Sequence, residues 1–311
     1  MDGYELAAEI NIGSSADGEL ENYQIELQIF RGTGTNHDNV IYLGSKADNW
    51  PYDIRFTSSD RETLLDFWRE EYDEDGGIWW VEVPLIPASG GVKIYCFCGN
   101  PGGTDVSNGD ATFRFGDDFE DSSVDTTKWT VTGGSAEDSG RISVYKTTTS
   151  EGGTASLVSK STFARPARVI MAVYATPDGT TSDMAWRGGL ISGTNRVGIT
   201  GAQSSVRRFT TRYGTNTLDQ SRSTDFSTIH RYRLEWRDGK VEHFVDGELE
   251  ASTTDNQYIP SVALPVDYLA YYGSGSGQYI YIYYVWVLAH TANPPTVSTA
   301  TTRARSTALW W

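Results

Sequence analysis

Cysteine is nearly absent from this 311-residue chain: only Cys96 and Cys98 occur, two positions apart in KIYCFCGN. On a strand both thiols face the same way, and a disulfide between them would be badly strained. Two cysteines with no nearby His also fall short of a zinc site, so they read as small apolar core residues. Histidine is scarce too. His37, His230, His243 and His290 are scattered, and none stands beside a Ser or Cys as a nucleophile's base would. His230 and His243 flank one hairpin and could share a face. No apolar run approaches the ~20 residues of a membrane-crossing helix, so no membrane insertion is expected. The opening MDGYELAAEINI has neither the basic nor the apolar region of a secretory signal. A mature form with an added Met, or exit from the cell by another route such as lysis, is expected. No nucleophile elbow, phosphate loop or dinucleotide fingerprint appears, and GSGSGQ (273–278) reads as a turn.

Helical periodicity is equally rare. The one candidate, SSDRETLLDFWREEYDED (58–75), has Ser or Asp to cap it and Leu64, Leu65, Phe67 and Trp68 as apolar positions. Those residues cluster more than they repeat, so one or two strands, or a turn followed by a strand, fit equally well. What is abundant points to β structure. Aromatics reach 13%, with 18 Tyr and 10 Trp, and 32 Gly supply tight turns. Period-2 alternation runs through Tyr23–Phe30, Ile78–Ile86 and Val92–Asn100. Arg231–Ser252 reads as two hairpin-linked strands, with turns at Asp238-Gly239 and Asp246-Gly247. QYIYIYYVWVL (278–288) reads as one long strand. Many short strands between Gly, Asp, Asn and Ser predict an all-β protein of two β-sandwich or jelly-roll domains.

Charge divides the chain as well. The net charge is −16, and residues 1–115 hold 21 acidic against 7 basic side chains. That half repels a phosphate backbone, and no Lys/Arg run elsewhere makes a binding arm, so nucleic acid is not an expected partner. The turn-rich NPGGTDVSNGDAT places a boundary near residue 112. The predicted division is 1–111, 112–298 and a tail at 299–311.

Four ordered motifs resemble a known family. They are Asp53-Ile54-Arg55-Phe56, Leu65 through Trp68 and Glu70, Trp80-Val81-Glu82-Val83-Pro84, and Gly99-Asn100-Pro101. Over about 100 residues this is similar to the domain of unknown function numbered 2341, which implies a fold but no agreed activity. Phe115–Trp129, His230–Ser252 and Val285-Trp286-Val287 resemble a concanavalin A-like, or laminin-G-like, jelly roll. That resemblance implies glycan binding, or a scaffold in glycan-active enzymes and adhesins. Relatives often carry an Asp just ahead of the closing Trp; here Tyr283, Tyr284 and Val285 stand there.

A glycosidase needs two carboxylates facing each other across the sugar. No compact Glu-x-Asp-x-x-Glu or Glu-x-Asp-x-Glu strand occurs, and the nearest pair, Glu248 and Glu250, resembles an exposed hairpin. Catalysis is therefore not expected. Asp117, Asp118, Glu120, Asp121 and Asp125 have the oxygen density of a calcium site, against a solvated loop as the plainer reading. No cofactor is required; a structural calcium at Asp117 and Asp118 is the one candidate. The acidic run Glu70–Asp75 reads as a solvated turn. Alternation puts Tyr279, Tyr281 and Tyr283 on one face of their strand and Ile280, Ile282, Tyr284 and Trp286 on the other. Tyrosine joins an apolar ring to a polar tip, suiting sugar or protein contact, with packing on the first domain as the alternative. Trp186, Arg187, Arg207, Arg208 and Tyr213 form a second candidate glycan site. Trp310 and Trp311 are assigned to subunit assembly.

The expected function is non-catalytic surface binding. Surface glycans are the ligand, and a homo-oligomer or other virion proteins are the partners, in a tail or capsid-decoration component at the virion surface. A secreted or cell-surface lectin-like module is the alternative, and a glycan-active enzyme the third.

Overall fold

The computed structural model describes all residues except 1, 45, 139, 146–153, 176–184, 203–205, 224–227, 272–278 and 302–311. At 185, 202, 206, 207, 222, 223, 271 and 301 it describes the backbone alone. Along the chain the first strands are β1 (Glu5–Ile12), β2 (Leu20–Phe30), β3 (Val40–Tyr42), β4 (Arg55–Thr57), β5 (Phe67–Tyr72), β6 (Gly76–Ile86) and β7 (Val92–Cys98). A one-turn helix α1 (Gly109–Thr112) follows, then β8 (Phe115–Asp117), β9 (Trp129–Thr132), β10 (Gly134–Glu137), β11 (Ile142–Tyr145) and β12 (Thr154–Phe163). Next come β13 (Ala167–Ala175), β14 (Ala185–Ser192), β15 (Asn195–Ala202), β16 (Val206–Tyr213) and β17 (Asn216–Ser223). The last are β18 (His230–Arg237), β19 (Lys240–Val245), β20 (Glu248–Thr253), β21 (Leu264–Tyr271), β22 (Tyr279–Ala289) and β23 (Val297–Thr301). The all-β expectation holds. Arg231–Ser252 resolves into three strands instead of two, because two Asp-Gly turns must join three. The 58–75 segment is a turn followed by β5: Asp60 accepts from the Glu62 and Thr63 amides and both neighbouring hydroxyls, closing the turn before a helix can start. The turn expected at 273–278 lies outside the described residues.

The chain separates into two units, Met1–Arg114 with Asn293–Trp311, and Phe115–Ala292. This moves the expected limits. Residues 293–298, placed with the jelly roll by sequence, belong to the first unit, since β23 pairs antiparallel with β1 from Ile12↔Val297 to Ala8↔Thr301. Both Asn293 nitrogens also donate to the Asp17 carboxylate. The short, polar VSTAT carries no local sign of a partner nearly 300 residues away.

The first unit consists of two four-stranded sheets, β23-β1-β7-β4 and β3-β2-β6-β5. Phe56 of one sheet meets Phe67 of the other edge-to-face at 5.3 Å, and Thr299 Oγ1 donates to the Val40 carbonyl. The resemblance motifs are its fastenings. Asp53, fully buried, accepts at Oδ2 from the amides of Asp48, Asn49 and Gly99. Arg55 donates to the carbonyls of Tyr52, Ile54 and Thr104. Asp53 of Asp-Ile-Arg-Phe thus holds Gly99 of Gly-Asn-Pro. The Glu70 carboxylate accepts from Trp80 Nε1 at 2.7 Å. Cys96 and Cys98 are free and buried, and burial pushes the Cys98 thiol up to about 12, so neither is a ready nucleophile.

The second unit is a sandwich of two antiparallel sheets, as the alternating strands predict. One sheet runs β10-β11-β22-β13-β18-β19-β20, with β8 also on β22; the other runs β17-β16-β15-β14-β21-β12-β9. Alternate residues of both sheets fill one core, including Val169, Met171, Leu234 and Ile280 from the first and Leu157, Leu190, Val197 and Phe209 from the second. The residues between them form two outer faces, and these carry the candidate chemistry.

Candidate functional site

The outer face of the eight-stranded sheet carries a strip of tyrosines drawn from three adjacent strands. Register sets Tyr145 of β11 opposite Tyr279 of β22, and Tyr174 of β13 opposite Tyr281. Centroids of successive rings Tyr145, Tyr279, Tyr281 and Tyr174 lie 5.1, 5.6 and 5.6 Å apart, the last two pairs within 17° of parallel. The Arg141 guanidinium lies 4.4 Å over the Tyr281 ring and donates to the Tyr283 hydroxyl at 3.4 Å. Burial pushes the Tyr281 phenol above its usual range, keeping it a neutral donor. The face therefore combines apolar rings, phenol hydroxyls and one cation held beside them.

Tyr279, Tyr281 and Tyr283 were legible from their own strand; Tyr145, Tyr174 and Arg141 were not, because cross-strand register leaves no local signal. Simple alternation also misplaces two residues of β22. The register with β13 shifts between Ala172 and Val173, leaving Tyr283 as an extra residue. A bulge reverses the alternation beyond it, so Val285 and Val287 enter the core. Tyr284 and Trp286 therefore belong to the same face as the tyrosine strip, not the opposite one.

The second predicted group does not assemble. Trp186 is 3% exposed and lies in the core, edge-to-face with Tyr232. It is a packing residue, because Arg187, its neighbour, takes the outward position. Tyr213 sits six residues along from the level of Trp186, about 20 Å away at strand rise. Its hydroxyl accepts from Ser261 Oγ at 3.0 Å, beside a cavity of about 560 Å³ that Arg165, Asp238 and Asn256 also line. Arg187 and Arg208 do share the outer face of the seven-stranded sheet, in one row through Thr200. The Arg207 side chain, Trp310 and Trp311 lie outside the described residues.

The acidic start of this unit uses its oxygens locally. Asp117 accepts from the Phe119 amide and from Trp129 Nε1, both at 3.0 Å, so it orients a core indole. Burial raises its pKa. Asp121 and Asp125 close their own turns through Ser123 and Thr127. Among the described residues no three His, Cys, Asp or Glu side chains converge as metal ligands, and Asp117, Asp121 and Asp125 each accept from backbone amides of their own turns. The Glu70–Asp75 run ends similarly, with Asp73 accepting from the Asp75 and Gly76 amides.

The described carboxylate pairs on the outer faces differ in setting. Glu235 and Glu242 pair directly across β18 and β19, yet each is 7% exposed. Arg168 and Arg233 hold Glu235, while Arg237 and Lys240 hold Glu242. Asp267 and Asp219 share a row on the other sheet but stand four strands apart, about 19 Å, beyond glycosidase spacing. Glu248 and Glu250 lie on the edge strand β20.

No curated protein matches the chain. Similar solved structures include the endo-β-1,3-glucanase of Pyrococcus furiosus, 15% identical, TM-score 0.45, covering 61% of this chain and 95% of that one. Another is the catalytic domain of an endo-1,3-β-glucanase (laminarinase) from Thermotoga petrophila RKU-1, 15% identical, TM-score 0.43, covering 58% and 98%. A third is a glycosyl hydrolase family 16 protein of Mycobacterium smegmatis str. MC2 155, 16% identical, TM-score 0.45, covering 56% and 99%. Residues 50–132 match the domain of unknown function DUF2341, a stretch that holds all four motifs and runs on through β8 and β9 of the second unit.

Proposed function

We propose that the second unit is a non-catalytic carbohydrate-binding module whose ligand lies along the tyrosine strip. The observation that carries this reading is the alignment of Tyr145, Tyr279, Tyr281 and Tyr174 on one outer face, with Arg141 fixed beside them. A saccharide offers apolar C–H groups among hydroxyls, and the strip offers apolar rings tipped with phenol hydroxyls. Rings already stacked on one another lose little freedom on binding, which favours affinity. Two outer-face pairs support binding without turnover: Glu235 and Glu242 are bound by cations, and Asp267 and Asp219 are too widely spaced. The test is a panel of neutral polysaccharides presented to the full chain, scored for retention and for new reducing ends. Retention without new reducing ends is the expected result. Release of reducing ends would overturn the non-catalytic reading, and failure to retain any glycan would overturn the binding reading.

A further inference from the structure

The outer face of the seven-stranded sheet holds a second, chemically different arrangement. Three rows cross strands β14, β15 and β16. The first is Arg187, Thr200 and Arg208; the second is Gly189, Gly198 and Thr210; the third is Ile191, Arg196 and Arg212. Asp267 on β21 adjoins the middle row at Gly189, and Asp219 on β17 closes it beyond Thr210. The middle row thus has a floor of two glycines, and long arginine side chains come from both ends, about 13 Å apart at the backbone.

The charges in this trough are unbalanced. Arg187 donates to Asp267 Oδ2 at 2.8 Å, and Asp219 accepts from Thr210 Oγ1 at 2.7 Å. Arg196 stands directly across from Arg212, a like-charge pairing that destabilises a sheet. Its half-buried guanidinium has no hydrogen-bond or ion-pair partner among the described residues, and its Nε is buried. Burial, then the proximity of Arg187 and Arg212, pulls Arg196 below the ordinary arginine value. Asp267, 6% exposed, leaves Oδ1 buried with no donor among the described residues. Four arginines therefore share this face with two carboxylates, Asp267 and Asp219, and among the described residues Arg196 has no ion-pair partner and Asp267 Oδ1 no donor. This is unusual on a chain of net charge −16.

We propose that this trough is a second ligand site, specific for an acidic saccharide. The guanidinium groups of Arg196, Arg208 and Arg212 take its carboxylate or sulfate, and Asp267 Oδ1 accepts one of its hydroxyls. Charge-assisted arginine contacts to a planar carboxylate or a sulfate are strong and directional. A bare inorganic anion satisfies the arginines and leaves Asp267 unserved, whereas an acidic sugar serves both. An acidic peptide adding as a strand is closed off, because β14, β15 and β16 are each paired on both edges. The site stands independently of the tyrosine strip, which lies on the other sheet.

Calorimetric titration of the full chain with dextran, dextran sulfate and polygalacturonate tests the proposal. The expected result is at least tenfold tighter binding of one or both polyanions than of dextran, weakening as salt rises. Sulfate preference or uronate preference then names the anion. The Arg196→Gln/Arg212→Gln variant should lose that preference at least tenfold, while Tyr279→Ala/Tyr281→Ala keeps it. Arg208→Gln, at an exposed position, gives the same reading if the double variant fails to fold. Equal binding of dextran and both polyanions, or a preference untouched by the arginine variants, would overturn the proposal without bearing on the tyrosine strip.

Discussion

Lowering the pH from 7 to 5 should cost the second unit about 4 kcal/mol through two buried histidines. His243 is 1% exposed, its ring 5.3 Å from that of Phe209, and its Nδ1 has no partner among the described residues. Burial drives its pKa down to about 3. His290, 5% exposed, is driven to about 3 by burial and then by the positive charges of Arg168, Arg237 and Arg233. Glu235 lies 3.5 Å away, but the arginines around it already take up its charge. Both groups fold neutral and protonate near pH 6.5 when unfolded. The unfolded chain therefore binds more protons below that value, so stability is present above it and lost as pH falls. With an unfolded pKa near 6.5 and a folded one far below 5, linkage gives about 2 kcal/mol for each histidine over this interval. Denaturant unfolding at both pH values, comparing the protein with His243→Gln/His290→Gln, isolates this contribution. The reasoning fails if the protein and the variant lose the same stability between pH 7 and pH 5.

Glu137 should act in the opposite direction. Burial, then the nearby carboxylates of Asp121 and Asp117, push it up to about 7; a raised carboxyl adds stability as pH falls from 7 towards 4.5. Glu137→Gln should therefore stabilise the protein at pH 8 and steepen its loss between pH 7 and pH 5, read from unfolding midpoints. Trp186→Ala should cost about 3–5 kcal/mol as a core truncation, whereas Tyr279→Ala should cost about 1 kcal/mol or less, both measured by urea unfolding. Asp53→Ala removes the oxygen that accepts from three backbone amides. It should destabilise the first unit by roughly 2–3 kcal/mol while leaving glycan binding unchanged.

The fold was legible wherever information is local. Alternation marked β2, β6, β7 and β22, and the Asp-Gly pairs marked the hairpins of β18, β19 and β20. The strand β23 was not legible, because its pairing with β1 joins opposite ends of the chain. The bulge at Tyr283 escaped notice for a related reason. It is defined by register against β13, and a single extra residue reverses the facing of everything after it. Half of the tyrosine strip could be seen because Tyr279, Tyr281 and Tyr283 lie on one strand; Tyr145 and Tyr174 arrive from elsewhere. The grouping of Trp186 with Arg187 failed on the same alternation, which sends neighbours to opposite faces. The acceptor role of Asp117 towards the Phe119 amide and the Trp129 indole was not legible either, because both donors are set by the folded turn.

The most direct test of glycan binding through the tyrosine strip compares binding isotherms of the unaltered chain and Tyr279→Ala/Tyr281→Ala on the neutral polysaccharide it retains. A loss of at least tenfold, with the unfolding midpoint little changed, is the predicted result. Unchanged affinity in a folded double variant would place the ligand elsewhere and contradict the account.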